Sequence, residues 1–385
     1  MVIVGAGIVG VSTAYFLKRA GVPVRLVEVR APAAAATGAA AGAVSAASKR
    51  PGPMMATATA GIRLYRELTA EGVLDGLFFT RSTFLVAVDD AEAEVLATHA
   101  AALAASGVSV ERLTSERLRA LAPSLSADVR AAAEVREEGH AIGYEIVRRL
   151  IARAGLAVER GVRVDGLVAD SQTGRVTGLD TGVGRIEAEA VVIAAGGGSS
   201  DLLGLSGVLR ARRGQLLVTE RAPALNAGLP GAIMSARYLL SKASAPGAAP
   251  AAASARGYGL VIDPLRTGQF LVGGTRENDA VRADTDAEAV AHILRDALRL
   301  VPGLASVRLL RTFAGLRTAV VDGLPLVGAV PGRAGLHVAT GFEGDGICLG
   351  PLMGRSIARL LLGEDPGVDL TPFDPARFRE GRAAA

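Results

Sequence analysis

The first thirty residues constrain this chain more than any other stretch. They read MVIVGAGIVG, VSTAYFLKRA and GVPVRLVEVR. An apolar run, a glycine turn, an amphipathic segment and a second apolar run predict strand, turn, helix and strand in that order. Gly5 permits the tight turn, Gly7 lets the backbone approach a pyrophosphate, and Gly10 lets the helix pack close to the strand. The helix then begins at Ile8 and Val9 with unpaired N–H groups and a partial positive charge facing the phosphates. Glu28 ends the second strand about 20 residues after the turn, where an acid binds a ribose hydroxyl pair. Strand, glycines, helix, strand and acid in sequence predict a dinucleotide site. The competing reading is a glycine-rich turn that holds no ligand.

Residues 31–48 are nearly all Ala, Gly, Ser and Thr. Low complexity suits a flexible linker. The stretch equally suits a backbone running close to a flat ligand, with Thr37 offering a hydroxyl to the pyrophosphate and Gly42, Ala43, Val44 and Ser45 lining a ring system. After a break at 49–53 the periodicity predicts helices over 56–70 and 91–106, a strand over 78–88 and a capped helix at 114–123. A strand is expected at 131–135, and residues 139–144 are expected to open a helix to 154. A hairpin follows over 163–169 and 175–181. The run AEAVVIAAGGGS at 188–199 predicts a buried strand ending in small residues, among them Ala195 and Gly196, where a dinucleotide fold returns beneath its cofactor.

From residue 210 the pattern changes to β-runs at 214–219, 232–240, 259–264 and 269–275, with a flexible loop at 241–256. One amphipathic helix at 286–300 covers them. This predicts an α/β chain whose Rossmann-like first domain is interleaved with a second, α+β and largely antiparallel, domain carrying the substrate wall. Residues 1–80, 140–205 and 318–385 are assigned to the first domain, and 81–139 and 206–317 to the second. Near the end, GFEGDGICLG at 341–350 leads from a strand into a helix over 351–362. This is a second glycine-rich strand-to-helix turn that presents N–H groups to an anion. FAD accounts for both turns, with its pyrophosphate at one and the flavin, which gains negative charge on reduction, at the other. NAD gives no reason for the second.

The 385 residues include one cysteine, Cys348, which excludes an internal disulfide and suits a reducing compartment. No apolar run is long and charge-free enough to span a membrane, and the first strand starts at residue 2, leaving no room for a leader. The expectation is a cytoplasmic protein. Net charge is +4, but no basic run interleaves with aromatics, so nucleic acid is not an expected partner. His99, His140, His292 and His337 show no metal-ligand spacing.

Taken together, VIVGAGIVG at 2–10, TGAAAG at 37–42, VVIAAGG at 191–197, RGQ at 213–215, VGGTRE at 272–277, AGLRTAVVDGLP at 314–325 and the glycine-rich run at 340–351 resemble the D-amino-acid oxidase (DAO) family of FAD-dependent oxidoreductases over nearly the whole chain. The resemblance implies that Gly5, Gly7, Gly10 and Glu28 bind the ADP half of FAD, with Thr37 at the phosphates. It implies that residues 42–45 pass the flavin ring and that the backbone of Val164 meets the adenine. Gly344, Asp345, Gly346 and Ile347 would form the turn at the flavin pyrimidine. Arg317 falls where the family places an arginine for the substrate carboxylate, although read alone it would be an ordinary ion pair. The chain departs from covalent sarcosine oxidases in having no cysteine near Arg317, so dissociable FAD is expected. It departs from glycine-oxidase-like members in having Gly344 where they carry an arginine. The stretches 49–53 and 342–351 look more like proline and hydroxyproline dehydrogenases and their opine- and cyanide-forming relatives, some of which work as subunits of larger assemblies.

The chemistry implied is hydride removal from the carbon next to an amine of a proline-, sarcosine- or glycine-like substrate, with oxygen or a quinone reoxidising the flavin. Tyr258, Tyr238 and Glu343 are candidate contacts to the amine, and Tyr258 and Glu343 join Arg317 as candidate catalytic residues. The alternatives are a flavin-binding subunit of a larger amine dehydrogenase, homo- or hetero-oligomeric, and a tailoring flavin oxidase with an unusual substrate.

Overall fold

The computed structural model describes residues 1–239 and 256–378. Strand Val2–Val4 lies at the centre of a six-stranded sheet, parallel to Arg25–Glu28 on one side and Val191–Ile193 on the other. Val158–Arg160, Leu336–Thr340 and Leu326–Ala329 extend it outward. Val2, Ile3 and Val4 are all buried, as a central parallel strand covered on both faces must be. Helices Ile8–Arg19, Gly143–Ala154 and Gly346–Leu361 pack together over one face. Ile3, Val11, Leu17, Leu26, Leu352 and Ile357 share one core there.

A larger sheet runs in the order Leu309–Val320, Leu209–Thr219, Phe270–Asn278, Gly257–Pro264, Gly231–Ser235, Phe78–Ala87, Ala131–Ala141 and Ala43–Val44, with Val110–Leu113 also paired to Ala131–Ala141. Its ladders are antiparallel except between Gly231–Ser235 and Phe78–Ala87. Helix Ala287–Leu300 covers three of its strands. The Asp286 carboxylate caps that helix by accepting from the Ala289 N–H. Leu217, Ile262, Phe270, Val272, Ile293 and Ala297 form the core between helix and sheet. Strands Val164–Ala169, Val176–Thr181 and Gly184–Glu187 make a small third sheet, one strand more than the expected hairpin.

Two local expectations change. Residues 139–141 do not open a helix. Strand Ala131–Ala141 takes them in because Gly139 and His140 pair with Phe78–Ala87 and with Ala43–Val44, and the helix waits until Gly143. The strand expected over 232–240 ends at Ser235, followed by a turn at Ala236 and helical residues 237–239. Strand Leu309–Val320 runs through Arg317, the segment being laddered to Leu209–Thr219. The loop expected at 241–256 lies, except for Arg256, outside the described residues.

Candidate active site

The cradle for a dinucleotide is built from the first turn. Gly5 has φ +104°, in the region glycine favours. A Cβ there would also lie 2.5 Å from the Ala194 carbonyl, and one at Gly10 would collide with the Gly5 carbonyl. Both glycines are therefore required by the chain's own packing. Gly7 differs, since a Cβ there would meet only the Thr37 hydroxyl, at 3.3 Å. The helix has Gly7 as its N-cap with no side-chain cap and no acid in its first turn, unlike the helices capped by Asp89, Thr114 and Asp286. The Ile8 N–H donates to Thr37 Oγ1 at 3.1 Å, which leaves the threonine O–H to donate elsewhere. Ile8 and Val9 themselves are buried, so they can offer only backbone. The Glu28 carboxylate accepts from Ala6 N–H and Arg30 N–H, one bond to each oxygen at 2.8 Å, which fixes it at the strand end with lone pairs remaining. Val164 opens its strand two residues after Val162, whose N–H donates to the Glu28 carbonyl. These features fit the ADP half of FAD: an uncapped helix end, a held hydroxyl and a held acid.

Ala195 lies against Gly5 of the first turn, and Gly196 follows it. The Gly196 carbonyl accepts from Thr340 Oγ1 at 3.0 Å. Gly42 leads into Ala43 and Val44, which pair with His140 and Gly139. Ser45 follows, its hydroxyl engaged within the chain. That hydroxyl donates to buried Glu138, which also accepts from the Ala46 and Ala47 N–H groups at 2.7 Å. Burial pushes the Glu138 carboxyl up from its ordinary value, against these bonds and one from Thr83. Glu138 does not stand out in the sequence, because it lies in the run EVREE beside exposed Arg136 and Glu137, and only the tertiary structure buries it.

The second turn, Glu343–Asp345, leads into helix Gly346–Leu361. Asp345 is its N-cap but makes no capping bond, because its carboxylate pairs with buried Lys49. Burial pulls Lys49 down and Asp345 outweighs it, holding the ammonium above its usual range. The pair locks the segment after Ser45 to the turn at 343–345. Ile347 follows, its carbonyl accepting from the Tyr65 hydroxyl at 2.7 Å. Cys348 is buried and its thiol is pushed up to about 12, chiefly by burial, which excludes a nucleophilic role.

Beside this turn stands an arginine cluster. Arg317 lies directly opposite Arg212 in the ladder between their strands, and Arg276 comes from the next strand. Arg212 Nη1, Arg276 Nη2 and Arg317 Nη1 lie 3.4, 3.3 and 3.8 Å from one oxygen, Glu343 Oε1. Arg317 Nη1 also donates to the Thr275 carbonyl, and a side chain at Gly214 would occupy the guanidinium's place. Glu343 itself has φ +48°, and its other oxygen accepts from the Gly344 N–H at 2.7 Å. Burial pushes the Glu343 carboxyl up, but Arg276, Arg317 and Arg212 together outweigh burial and hold it at about 2. A Cβ at Gly315 would lie 2.6 Å from Ala39 Cβ, so the arginine strand touches the loop that follows Glu28.

The structure thus gathers Arg317 and Glu343 but not Tyr258. Tyr258 pairs with Thr275, and its ring stacks on His292 of the covering helix, centroids 3.6 Å apart. Alternation along the strand puts it on the opposite face from Arg276. Tyr238 stands at the cluster instead, packed over Gly259 with its ring centroid 5.9 Å from the Arg276 guanidinium. Arg212 and Arg276 escaped the sequence reading because nothing local tells which of two adjacent residues faces the site.

Residues 1–360 match the family described as DAO, FAD dependent oxidoreductase. An uncharacterized oxidoreductase, YurR, of Bacillus subtilis is 30% identical over 97% of this chain and 98% of its own. A glycine oxidase of Pseudomonas aeruginosa is 29% identical over 98% of each. The crystal structure of a glycine oxidase from Geobacillus kaustophilus superposes with a TM-score of 0.84 at 25% identity, covering 98% of both chains. No helix among the described residues is long and apolar enough to cross a membrane. The chain belongs to the DAO family of FAD-dependent oxidoreductases and is an FAD enzyme acting on carbon–nitrogen donors.

Proposed function

We propose that the protein oxidises an amino acid or a carboxylated secondary amine to its imine, with the substrate carboxylate held by Arg317. The observation that carries this reading is the Arg317 guanidinium, fixed by the Thr275 carbonyl and Glu343 beside the turn at 343–347. Bound FAD supplies the two-electron acceptor for the hydride leaving the carbon next to nitrogen. The protein's work is orientation. A planar fork held at two points grips a carboxylate in one geometry and sets the neighbouring carbon with it. Glu343, held at about 2, stays ionised at neutral pH and is a poor proton acceptor. Its role in this reading is to hold the arginines and attract the amine nitrogen, and the amine proton passes to solvent.

The test is anaerobic addition of sarcosine, glycine, and D- and L-proline to the purified flavoprotein. Bleaching of the flavin band by at least one of them is the expected result. A bound flavin that no amine bleaches would overturn the reading.

A further inference from the structure

We infer that the substrate carries two carboxylates, the first on Arg317 and the second on Arg276 and Arg212. This rests on the amine-oxidising reading of the same site and names its substrate class.

The argument starts from charge. Three guanidinium groups converge on one carboxylate oxygen of Glu343. Lys49 and Asp345 nearby neutralise each other. The cluster therefore holds two positive charges in excess. Such an excess is unfavourable in a half-buried place, and like charges directly opposite on a ladder, as Arg212 and Arg317 are, oppose the pairing of their strands. The same strands carry the reverse balance on their other face. There Arg213 and Arg256 meet four carboxylates, Glu277, Asp284, Asp286 and Glu288. The excess is thus confined to the face beside the turn at 343–347 and is not a general result of many arginines in the chain.

Hydrogen bonding points the same way. Arg276 Nη1 is buried and has no hydrogen-bond partner. Buried donors normally find one. Glu343 Oε1 is already shared among three arginines, and Oε2 carries the bond from the Gly344 N–H. One substrate carboxylate on Arg317 leaves one positive charge and the Arg276 donor unanswered. A second carboxylate answers both.

Sarcosine and iminodiacetate make a matched pair, differing by one carboxylate on the same secondary amine. In anaerobic rapid-mixing experiments with the holoenzyme, the substrate concentration giving the half-maximal rate of flavin bleaching should be roughly tenfold or more lower for iminodiacetate than for sarcosine, the effect of one charge-assisted contact. Non-oxidisable ligands give a second readout, in which malonate should perturb the flavin spectrum at lower concentration than acetate or inorganic phosphate. Arg276→Met should bring the iminodiacetate-to-sarcosine ratio close to one, and Arg276→Lys should keep part of it. Should Arg276→Met fail to fold, the wild-type series decides alone. Sarcosine bleaching as readily as iminodiacetate would overturn the inference and leave the amine-oxidising function standing. Phosphate binding as tightly as malonate would overturn it in favour of a single compact dianion. If malonate outcompetes acetate while no amine bleaches the flavin, the two-carboxylate site stands and the amine-oxidising function falls.

Discussion

Glu343 holds together a cluster that would otherwise repel itself. Its carboxyl sits at about 2 in the folded protein against an ordinary value of 4.5. A depressed value means stability that is complete above pH 4.5 and is lost as pH falls toward 2. The difference corresponds to roughly 3 kcal/mol. Glu343→Gln should therefore lower unfolding stability at neutral pH by about that amount. It should also remove part of the acid dependence between pH 4.5 and 2, measured by denaturant titration across that range. Arg317→Met should raise the half-saturating concentration of carboxylated amines by roughly tenfold to a hundredfold while affecting uncarboxylated amines much less. Equal effects on both would remove the carboxylate role. Arg317 stood out from sequence because Gly-Leu-Arg and Asp-Gly-Leu-Pro flank it. Arg212 did not, because Arg213 beside it looks the same and alternation sends the two to opposite faces.

The elements around the cofactor are tied by few, specific contacts. Helix Ile8–Arg19 rests on strand Val2–Val4 at Gly10, so close that the Gly5 carbonyl fills the place of a Cβ. Gly10→Ala should push helix from strand, lower the melting temperature and weaken FAD retention, as seen by loss of flavin on gel filtration. Retention equal to wild type would show that the contact can relax. Within the loop over 45–47, Glu138 accepts from three donors. Glu138→Ala would leave the Ala46 N–H buried without an acceptor, at about 1–3 kcal/mol, while the Ala47 N–H keeps the Ser45 hydroxyl. Urea unfolding should register that loss. The strand–turn–helix units were legible because their signals are local. The reach of strand Ala131–Ala141 through Gly139 and His140 was not, since partners 60 residues away on Phe78–Ala87 decide it.

Across the whole molecule, the only cysteine is Cys348, buried and with its thiol pushed up to about 12. No thiolate is available for a flavin bond, so acid precipitation should release the FAD into the supernatant. Flavin remaining with the pellet would contradict this. The dinucleotide fold was determined by sequence alone because its signature lies within thirty consecutive residues and each part has a local cause: apolar strand, glycine turn, helix, acid. The second glycine-rich turn was legible for the same reason. The charge balance beside it was decided only by tertiary structure. Arg212 and Glu343 are 131 residues apart in the chain. Which arginines meet that carboxylate depends on the register and face of three laddered strands, properties that a one-residue shift in pairing would reverse.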